Sequence, residues 1–392
     1  MDLTLSPELA AFRERARAFI REHAPAVEKR PGTRSPLPEE LPEHRRWWAS
    51  LFEAGFLGAD WPEEWGGRPD HDPVQDHLFD SELGAAQAPT PVGAWRLVAT
   101  ALLAYGTPAQ QARYLPRIRA AEDFWCQLFS EPDAGSDLAA LRCRAERDGD
   151  SWVVNGQKVW TTHGHLADLG FLLARTDPDA PKHQGISAFV VDMRTPGIEV
   201  RPLRELTGSA DFNEVFFHDV RIPGENLLGA PGQGWEVART SLARERAESR
   251  REDSVTQAVA RLARLAASAA ERGLVEPHDG ERRARLGRLL ARAEISDLLA
   301  WLQLEKEVAG AAAVDDAAIT KVFFTELNLD IHRTAVDLQG TAGILTEGDP
   351  EVLDRGRWQE GWLWARGFTI SAGSNEVMRN IIAERGLGLP RE

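Results

Sequence analysis

The chain has 392 residues, of which 43% are hydrophobic and 27% charged, enough for two or three packed units with a water-soluble surface. Its 61 acidic and 46 basic residues give a net charge of -15, which argues against nucleic acid or an anionic membrane as the main partner. Only two cysteines occur, Cys126 and Cys143, which excludes a disulfide framework and a cysteine-based zinc site.

These features predict a cytoplasmic protein. No apolar run reaches the roughly 18 residues that a membrane-spanning helix needs. The first residues, Met1–Thr4, lack the charged-then-apolar pattern of a secretion signal. We expect neither a membrane nor a nucleic acid as partner, and no bound metal.

The first 120 or so residues predict a helical unit. Ser6 can cap a helix that has Pro7 in its first turn and apolar residues on one face. Further apolar stretches follow at 47–56, 74–83 and 97–105, separated by turns rich in proline and glycine.

The pattern then changes to short segments rich in β-branched and aromatic residues, at 141–146, 151–154, 158–161, 170–174, 186–191 and 198–202. Asp148-Gly149 and Asn155-Gly156 both predict tight hairpin turns, because these dipeptides favour positive φ angles. We therefore expect a small antiparallel barrel or sandwich over 124–231.

Helical spacing returns after the glycine-rich turn at 229–232 and predicts a bundle of long helices. The predicted apolar faces comprise Val255, Val259, Leu262, Leu265 and Ala269, and then Leu286, Leu289, Leu290, Ala293 and Leu298. The fold class predicted is α+β, with a helical domain at 1–123, a β domain at 124–231 and a helical bundle at 232–392.

The segment Trp125–Asp137 (WCQLFSEPDAGSD) joins the first two regions and is irregular for ordinary core. Its small hydroxyl residues and glycine let backbone N–H groups approach a ligand, and its aromatic residues offer flat apolar surface. A planar heterocycle that carries phosphates suits this combination, although a structural loop remains an alternative on the residues alone.

This segment resembles the signature of the acyl-CoA dehydrogenase family. Four further segments are similar to that family in the same order, so that the resemblance covers nearly the whole chain: Trp152–Thr162, Asn213–Phe217, Val220–Pro223 and Gly373–Arg385. The resemblance implies a helical N-terminal domain, a middle β domain and a C-terminal helical bundle around one FAD.

The family pattern implies roles for residues along the cofactor. Phe129, Ser130, Gly135 and Ser136 are expected along the flavin and the start of the CoA arm, which makes Ser136 a substrate contact as well. Trp160 and Thr162 are expected beside the isoalloxazine, and the alternative for Trp160 is an ordinary core tryptophan.

The reaction of the family needs a carboxylate that removes the proton next to the thioester. Most members carry this glutamate at the position of Ala372, and alanine cannot accept a proton. Members of the isovaleryl and long-chain type place it on a helix of the C-terminal domain, before an arginine, and Glu245-Arg246 resembles that pattern. Glu245 is our candidate base and Arg246 a candidate substrate contact. The alternative is a solvated helix face, since the surrounding residues are rich in charge.

Other roles follow from the same resemblance. The backbone N–H of Ala372 is expected to hold the thioester oxygen, which the change of side chain leaves intact. Arg272, Gln339 and Gly340 resemble flavin contacts across a subunit boundary. Ser374 and Glu376 are expected over the flavin or adenine, with Ser374 also a candidate helix cap.

The resemblance predicts an FAD-dependent, bacterial-type acyl-CoA dehydrogenase that passes electrons to an electron-transferring flavoprotein. It implies a homo-oligomer, a dimer or tetramer, or a heterotetramer with a homologous subunit. Two alternatives remain: a catalytically silent subunit, and a flavin oxidase or monooxygenase on the same fold.

Overall fold

The computed structural model describes residues 4–27, 34–248, 255–275 and 279–391, leaving aside the side chains of 244–248, 256 and 314. The chain forms two compact units. The helical unit comprises Met1–Gly32, Asp72–Pro89 and Arg246–Glu392, and the sheet unit comprises Thr33–His71 and Thr90–Glu245.

The helices are α1 (Pro7–His23), α2 (Leu41–Glu53), α3 (Pro73–Ala86), α4 (Trp95–Tyr105), α5 (Pro108–Arg119), α6 (Gly234–Glu248), α7 (Val255–Glu271), α8 (Gly280–Val308), α9 (Val314–Leu338), α10 (Arg357–Ile370) and α11 (Asn375–Ile381). The strands are β1 (Trp125–Leu128), β2 (Arg144–Asp148), β3 (Ser151–Thr162), β4 (Leu169–Arg175), β5 (Ile186–Asp192), β6 (Ile198–Leu203), β7 (Phe212–Pro223) and β8 (Leu227–Leu228).

The strands form one eight-stranded sheet with the order β6-β7-β3-β2-β4-β5-β8, and β1 pairs with β4 in parallel. The pairs β2–β3, β3–β7, β4–β5, β5–β8 and β6–β7 are antiparallel. Large side chains that alternate along these strands fill the core, among them Leu172, Phe189 and Phe217, each at most 1% exposed. Burial of each such side chain contributes about 1.5–3 kcal/mol to folding.

Only one of the two predicted hairpin turns is present. Asp148 pairs with Ser151, so that Gly149, with φ +60°, lies in a two-residue loop as predicted. The turn predicted at Asn155-Gly156 is wrong, because both residues lie inside the continuous strand β3. Asn155 instead exchanges two hydrogen bonds of 2.9 Å with Asp219, which has a positive φ where β7 carries an extra residue.

Gly156 serves close packing. A Cβ atom at this position would lie 2.7 Å from the Cα of Cys143, and the residue has a φ of +150°. The glycine that resembled a turn residue is therefore required by the approach of a neighbouring backbone.

In the helical unit, α1 begins as predicted, because the Ser6 hydroxyl accepts a hydrogen bond from the N–H of Leu9 at 3.3 Å. Phe12, Ala16 and Ile20 are buried along one face of α1. The carboxylate of Glu82 on α3 is only 6% exposed and receives hydrogen bonds from Arg13 and Arg17 of α1. This ion-pair cluster, the α1–α3 clamp, joins two helices that are distant in sequence.

Helices α7, α8 and α9 pack as the predicted bundle. Their shared core contains Leu262, Leu289, Leu327 and Ile331 together with Trp358 of α10. The predicted apolar face of α8 is only partly buried, because Leu290 and Leu298 are 47% and 45% exposed. The periodicity marked the apolar residues correctly but could not indicate what covers them.

The predicted α+β class is confirmed. In the part of the chain that the structure describes, no helix has both the length and the apolar character to cross a membrane. The boundaries at 123 and 231 stay predictions, since the compact units divide the chain differently and place α1 and α3 with the C-terminal helices.

Candidate active site

The loop after β1, predicted to line a flavin, is tied to β3 in the sheet unit. The N–H of Val159 donates to the carbonyl of Ser130 at 2.9 Å. Glu131 and Ala134 exchange two backbone hydrogen bonds of 3.1 Å, which closes a tight turn. Phe129 is buried with its ring edge-on to that of Phe171, and Ser130 is half-buried.

A buried ion pair fixes this loop. Lys158 is 0% exposed, and its Nζ lies 2.7 Å from Oε1 of Glu131 and donates to the carbonyl of Phe129 at 3.0 Å. Glu131 also accepts the backbone N–H groups of Arg142 and Cys143 at 2.6 and 2.9 Å. A buried charge persists only with such partners, so the pair holds the loop and β3 in one geometry.

Sequence reasoning assigned no role to either residue of this pair. A lysine in a strand is expected to point outward, so the residue types gave no sign that Lys158 is buried. Its inward position shows that a partner carboxylate had to lie nearby.

Gly135 and Ser136 follow the tight turn and are exposed. A Cβ atom at Gly135 would meet no atom within 4 Å, and the φ of this residue lies outside the left-handed region. The fold of this chain therefore does not itself require glycine here. A ligand that lies close to the backbone supplies a reason, which fits the predicted flavin.

Trp160 is strained and exposed. It has a φ of +58° and an exposed fraction of 61%, with its ring edge-on to Phe212. The alternative of an ordinary core tryptophan is therefore wrong. Positive φ is unusual for a bulky residue and concentrates at functional sites.

The strain at Trp160 accompanies a bulge in β3. Lys158 pairs with Val215 and Thr161 pairs with Asn213, so that β3 carries one residue more than β7 over this stretch. Thr161 is buried and Thr162 half-buried. The bulge thus directs Trp160 outward between the buried Val159 and Thr161.

Glu245 and Arg246 both lie in α6. Their side chains are outside the described part of the structure, so their predicted roles stay predictions. The start of α6 packs closely on β5, because a Cβ atom at Gly234 would lie 2.5 Å from the carbonyl carbon of Ser187.

In the helical unit, Ala372 lies in a turn between α10 and α11. Ala372 and Gly373 are consecutive left-handed residues with φ of +52° and +89°. Such a backbone costs roughly 1–2 kcal/mol for a residue with a Cβ atom. A Cβ atom at Gly373 would meet the flexible end of Met378, so the reason for glycine here is the φ of +89°, which residues with a side chain rarely adopt.

The residues after this turn begin α11. The Ser374 hydroxyl accepts a hydrogen bond from the N–H of Val377 at 3.3 Å, as predicted for a helix cap. Glu376 is exposed, and its own backbone N–H and the Ser374 hydroxyl hold its pKa below the ordinary value. Glu376 is therefore an anion at neutral pH beside a helix N-terminus.

The stretches predicted to cross a subunit boundary lie side by side in the helical unit. Arg272 is exposed at the end of α7, and a Cβ atom at Gly340 would lie 3.9 Å from the carbonyl of Leu274. Gln339 is 0% exposed, and its side chain bonds to Ala335 and Gln359. Gln339 therefore presents no side-chain group at the surface of this chain, whereas Gly340 is exposed.

Comparison with known families matches three models along the chain. Residues 6–122 match the acyl-CoA dehydrogenase N-terminal domain, 126–220 the middle domain and 232–387 the C-terminal domain. The acyl-CoA dehydrogenase IpdE1 of Mycobacterium tuberculosis is 40% identical over 360 residues, which cover 90% of each protein. The chain belongs to the acyl-CoA dehydrogenase family, which makes it a flavoprotein oxidoreductase that acts on acyl-CoA.

Solved structures agree with this assignment. The chain is similar to the Tcur3481-Tcur3483 steroid ACAD, with 30% identity, a TM-score of 0.87 and 100% of each chain covered. It is also similar to the ChsE4-ChsE5 complex from Mycobacterium tuberculosis, with 30% identity, a TM-score of 0.82 and again 100% of each chain covered. The predicted three-part fold is confirmed by these matches.

Proposed function

We propose that this chain is an FAD-dependent dehydrogenase that introduces an α,β double bond into an acyl-CoA thioester. The observation that carries the proposal is the match to all three family domains in order, along 6–122, 126–220 and 232–387. Two observations support it independently: the space around the backbone of Gly135 is open, and Trp160 is strained and exposed. Both suit a planar ligand that lies against these residues.

The residues proposed to hold FAD are Phe129, Ser130, Gly135, Ser136, Trp160, Thr162, Arg272, Gln339, Gly340, Ser374 and Glu376. When bound, FAD would accept the hydride that leaves the β-carbon. Gly340 is exposed and has no side chain, so we assign its contact with FAD to main-chain groups. Ser136 and Arg246 are proposed as contacts of the CoA thioester.

Glu245 is proposed as the base that removes the α-proton. Ala372 has no acidic group, whereas Glu245-Arg246 follows the pattern of the branch that carries its glutamate on a C-terminal helix. A carboxylate that loses water in a closed pocket gains basicity, which this proton transfer needs. The backbone N–H of Ala372 is proposed to polarise the thioester carbonyl and so to acidify that proton.

We propose that the chain works as an oligomer and passes electrons to an electron-transferring flavoprotein. Leu290, Ile295, Leu298 and Leu302 of α8 are exposed by 38–47%, an apolar surface typical of a subunit contact. We name this surface the α8 face. The ChsE4-ChsE5 neighbour is described as a complex, which supports an assembly with a second, different subunit beside the homo-oligomer that we propose.

We further propose an acyl group with a bulky ring system as the substrate class. The support is the similarity to a protein described as a steroid ACAD over the full length of both chains. A panel of straight-chain, branched and steroid-bearing acyl-CoA thioesters tests it through the rate of flavin bleaching. Faster bleaching by straight-chain thioesters than by steroid-bearing ones contradicts this substrate class.

The test of the base compares Glu245→Gln with Glu236→Gln, an exposed glutamate on the same helix. We expect Glu245→Gln to keep its flavin and lose at least about a hundredfold in bleaching rate, within the range for removal of a general base. Glu236→Gln should behave as the wild type. Normal bleaching by Glu245→Gln would show that another group takes the proton.

A catalytically silent subunit is the second candidate, favoured by Ala372 and by the residues after Arg272, Gly273-Leu274, which stand where the family pattern that Arg272 resembles continues with Phe-Gly. Flavin stoichiometry of the chain purified alone distinguishes the two, because a silent subunit should bind little FAD. Rapid oxygen consumption after reduction would instead indicate the oxidase or monooxygenase alternative.

A further inference from the structure

The turn that presents the Ala372 N–H is held by a lysine from a different helix. The Nζ of Lys321 on α9 donates to the carbonyl of Gly373 at 2.8 Å and to Oδ1 of Asn375 at 2.8 Å. It also lies 3.4 Å from the carbonyl of Thr369 in the last turn of α10. The three acceptors stand before, within and after the turn, and an ammonium group has three donors to match them.

A second residue of α9 bonds to the same turn region. Thr325, one helical turn after Lys321, donates its hydroxyl to Oδ1 of Asn375 at 3.1 Å. Asn375 is buried at the first position of α11. One face of α9 therefore binds both ends of a turn whose two central residues have left-handed backbone angles.

A strained turn keeps its conformation only where surrounding contacts determine it. Within the described residues, the side chains that bond to this turn from outside α10 and α11 come from α9. The Ala372 N–H lies between the carbonyls of Thr369 and Gly373, and the Nζ of Lys321 bonds both of them, so this lysine restrains the backbone on either side of that N–H.

We propose that Lys321 is a positioning residue for catalysis, which orients the backbone N–H of Ala372 toward the thioester oxygen. The proposal rests on the proposed function, since it needs the Ala372 N–H to meet a thioester. Lys321 itself does not contact substrate, because its three donors are directed at Thr369, Gly373 and Asn375.

The charge of Lys321 gives the anchor a pH dependence. Burial lowers the pKa of Lys321 to about 8, against a smaller raising effect of Glu376 and a further lowering by Arg379. Arg379 is itself paired with Glu326 of α9. Because the neutral amine has one donor fewer, we expect the anchor to weaken as the pH rises through about 8.

The test uses the flavin-loaded enzyme and the thioester from the panel that bleaches wild-type flavin fastest. The variants are Lys321→Met, Lys321→Arg and, as a control, Lys306→Met. Lys306 is also half-buried and bonds Asp316 at the start of α9, away from the turn. Lys321→Met should lower kcat roughly tenfold with little change in KM. This loss is smaller than the loss of roughly a hundredfold or more that follows removal of an oxyanion donor itself, because the Ala372 N–H is still present but less well oriented. Lys306→Met should retain wild-type kcat.

Two further readouts separate positioning from general stability. Amide hydrogen exchange in residues 369–377 should quicken in Lys321→Met and not in Lys306→Met. The wild-type kcat should fall above about pH 8, whereas Lys321→Arg, which stays charged, should lose this alkaline fall. These readouts decide the matter through Lys321→Arg even where Lys321→Met does not fold.

Unchanged kcat and unchanged exchange in Lys321→Met overturn the proposal, as does an alkaline fall that persists in Lys321→Arg. Failure of the proposed function gives a different result, since no thioester of the panel would then bleach the flavin of the wild type. The exchange measurement still reports in that case whether Lys321 holds the turn.

Discussion

At Gly135 the fold has room for a side chain, whereas the proposed FAD site does not. Because the site around its Cβ position is open, Gly135→Ala should leave the free energy of unfolding of the flavin-free protein unchanged within about 0.5 kcal/mol. A methyl group in the path of the cofactor should weaken FAD binding by about tenfold, or about 1.4 kcal/mol. Titration of the flavin-free wild type and variant with FAD measures the two affinities, and denaturant unfolding of the same flavin-free proteins measures their stabilities.

The matched control is Gly287→Ala on α8, where the Cβ position is also open within 4 Å. It should bind FAD as the wild type does. Equal FAD affinity of Gly135→Ala and wild type would remove Gly135 from the cofactor site.

At this scale the sequence indicated which segments matter but not how they are held. The motif containing Phe129 and Gly135 could be recognised from its residue types. The Lys158–Glu131 pair could not be derived, because its partners are 27 residues apart and local patterns carry no information about long-range pairing. The same limit applies to Lys321 and Asn375, which are 54 residues apart.

At the scale of helices, the α1–α3 clamp should contribute to stability in a pH-dependent way. Burial alone would raise the pKa of Glu82, but hydrogen bonds from Arg17 and Arg13 outweigh it and lower the pKa below 4.5. A carboxylate with a lowered folded pKa stabilises the protein above its unfolded value and loses this effect as the pH falls through the folded value. The clamp should therefore act at neutral pH and fade below about pH 4.5.

Glu82→Gln should accordingly lower the free energy of unfolding by roughly 1 kcal/mol at pH 7, a modest value because both arginines are 44% exposed and solvent screens them. The difference from wild type should shrink at acid pH. Denaturant titrations at several pH values measure it. Glu14→Gln, which loses only an exposed contact with Arg17, is the control and should be close to neutral.

Helix starts were the most predictable element boundaries, and strand bounds the least. Ser6 and Ser374 cap α1 and α11 as their residue types indicate. The sequence predicted two strands, separated at Asn155-Gly156, where the structure has the single strand β3. The turn propensity of this dipeptide outweighed the alternation of apolar and polar residues, which extends over only a few residues on each side. The long antiparallel pairing with β7 overrides that local preference.

At the scale of the whole molecule, the α8 face should control assembly. Leu298→Glu together with Leu302→Glu places two charges on this surface, where burial against a partner would then be costly. We expect the purified protein to shift from an oligomer toward the monomer with its secondary structure unchanged. Light scattering after size-exclusion chromatography measures the mass, and circular dichroism the helix content.

Ala18→Glu on the exposed side of α1 is the control and should keep the wild-type mass. An oligomer that survives both substitutions on α8 would place the subunit contact elsewhere.

The overall class was predictable because three regions differ in hydrophobic period, and each region is long enough to show it. The compact units were not predictable in the same way. The helical unit takes α1 and α3 from the N-terminal region, and contacts between segments so far apart in sequence leave no local periodicity.

The extra residue in β3 also limits which changes in chain length the gene can tolerate. Loss of the Val159 codon would remove the bulge and a buried side chain, and loss of the Trp160 codon would remove the exposed indole, so either deletion changes the segment proposed to face the flavin. We therefore expect natural variants to exchange residues in this strand far more readily than to shorten it.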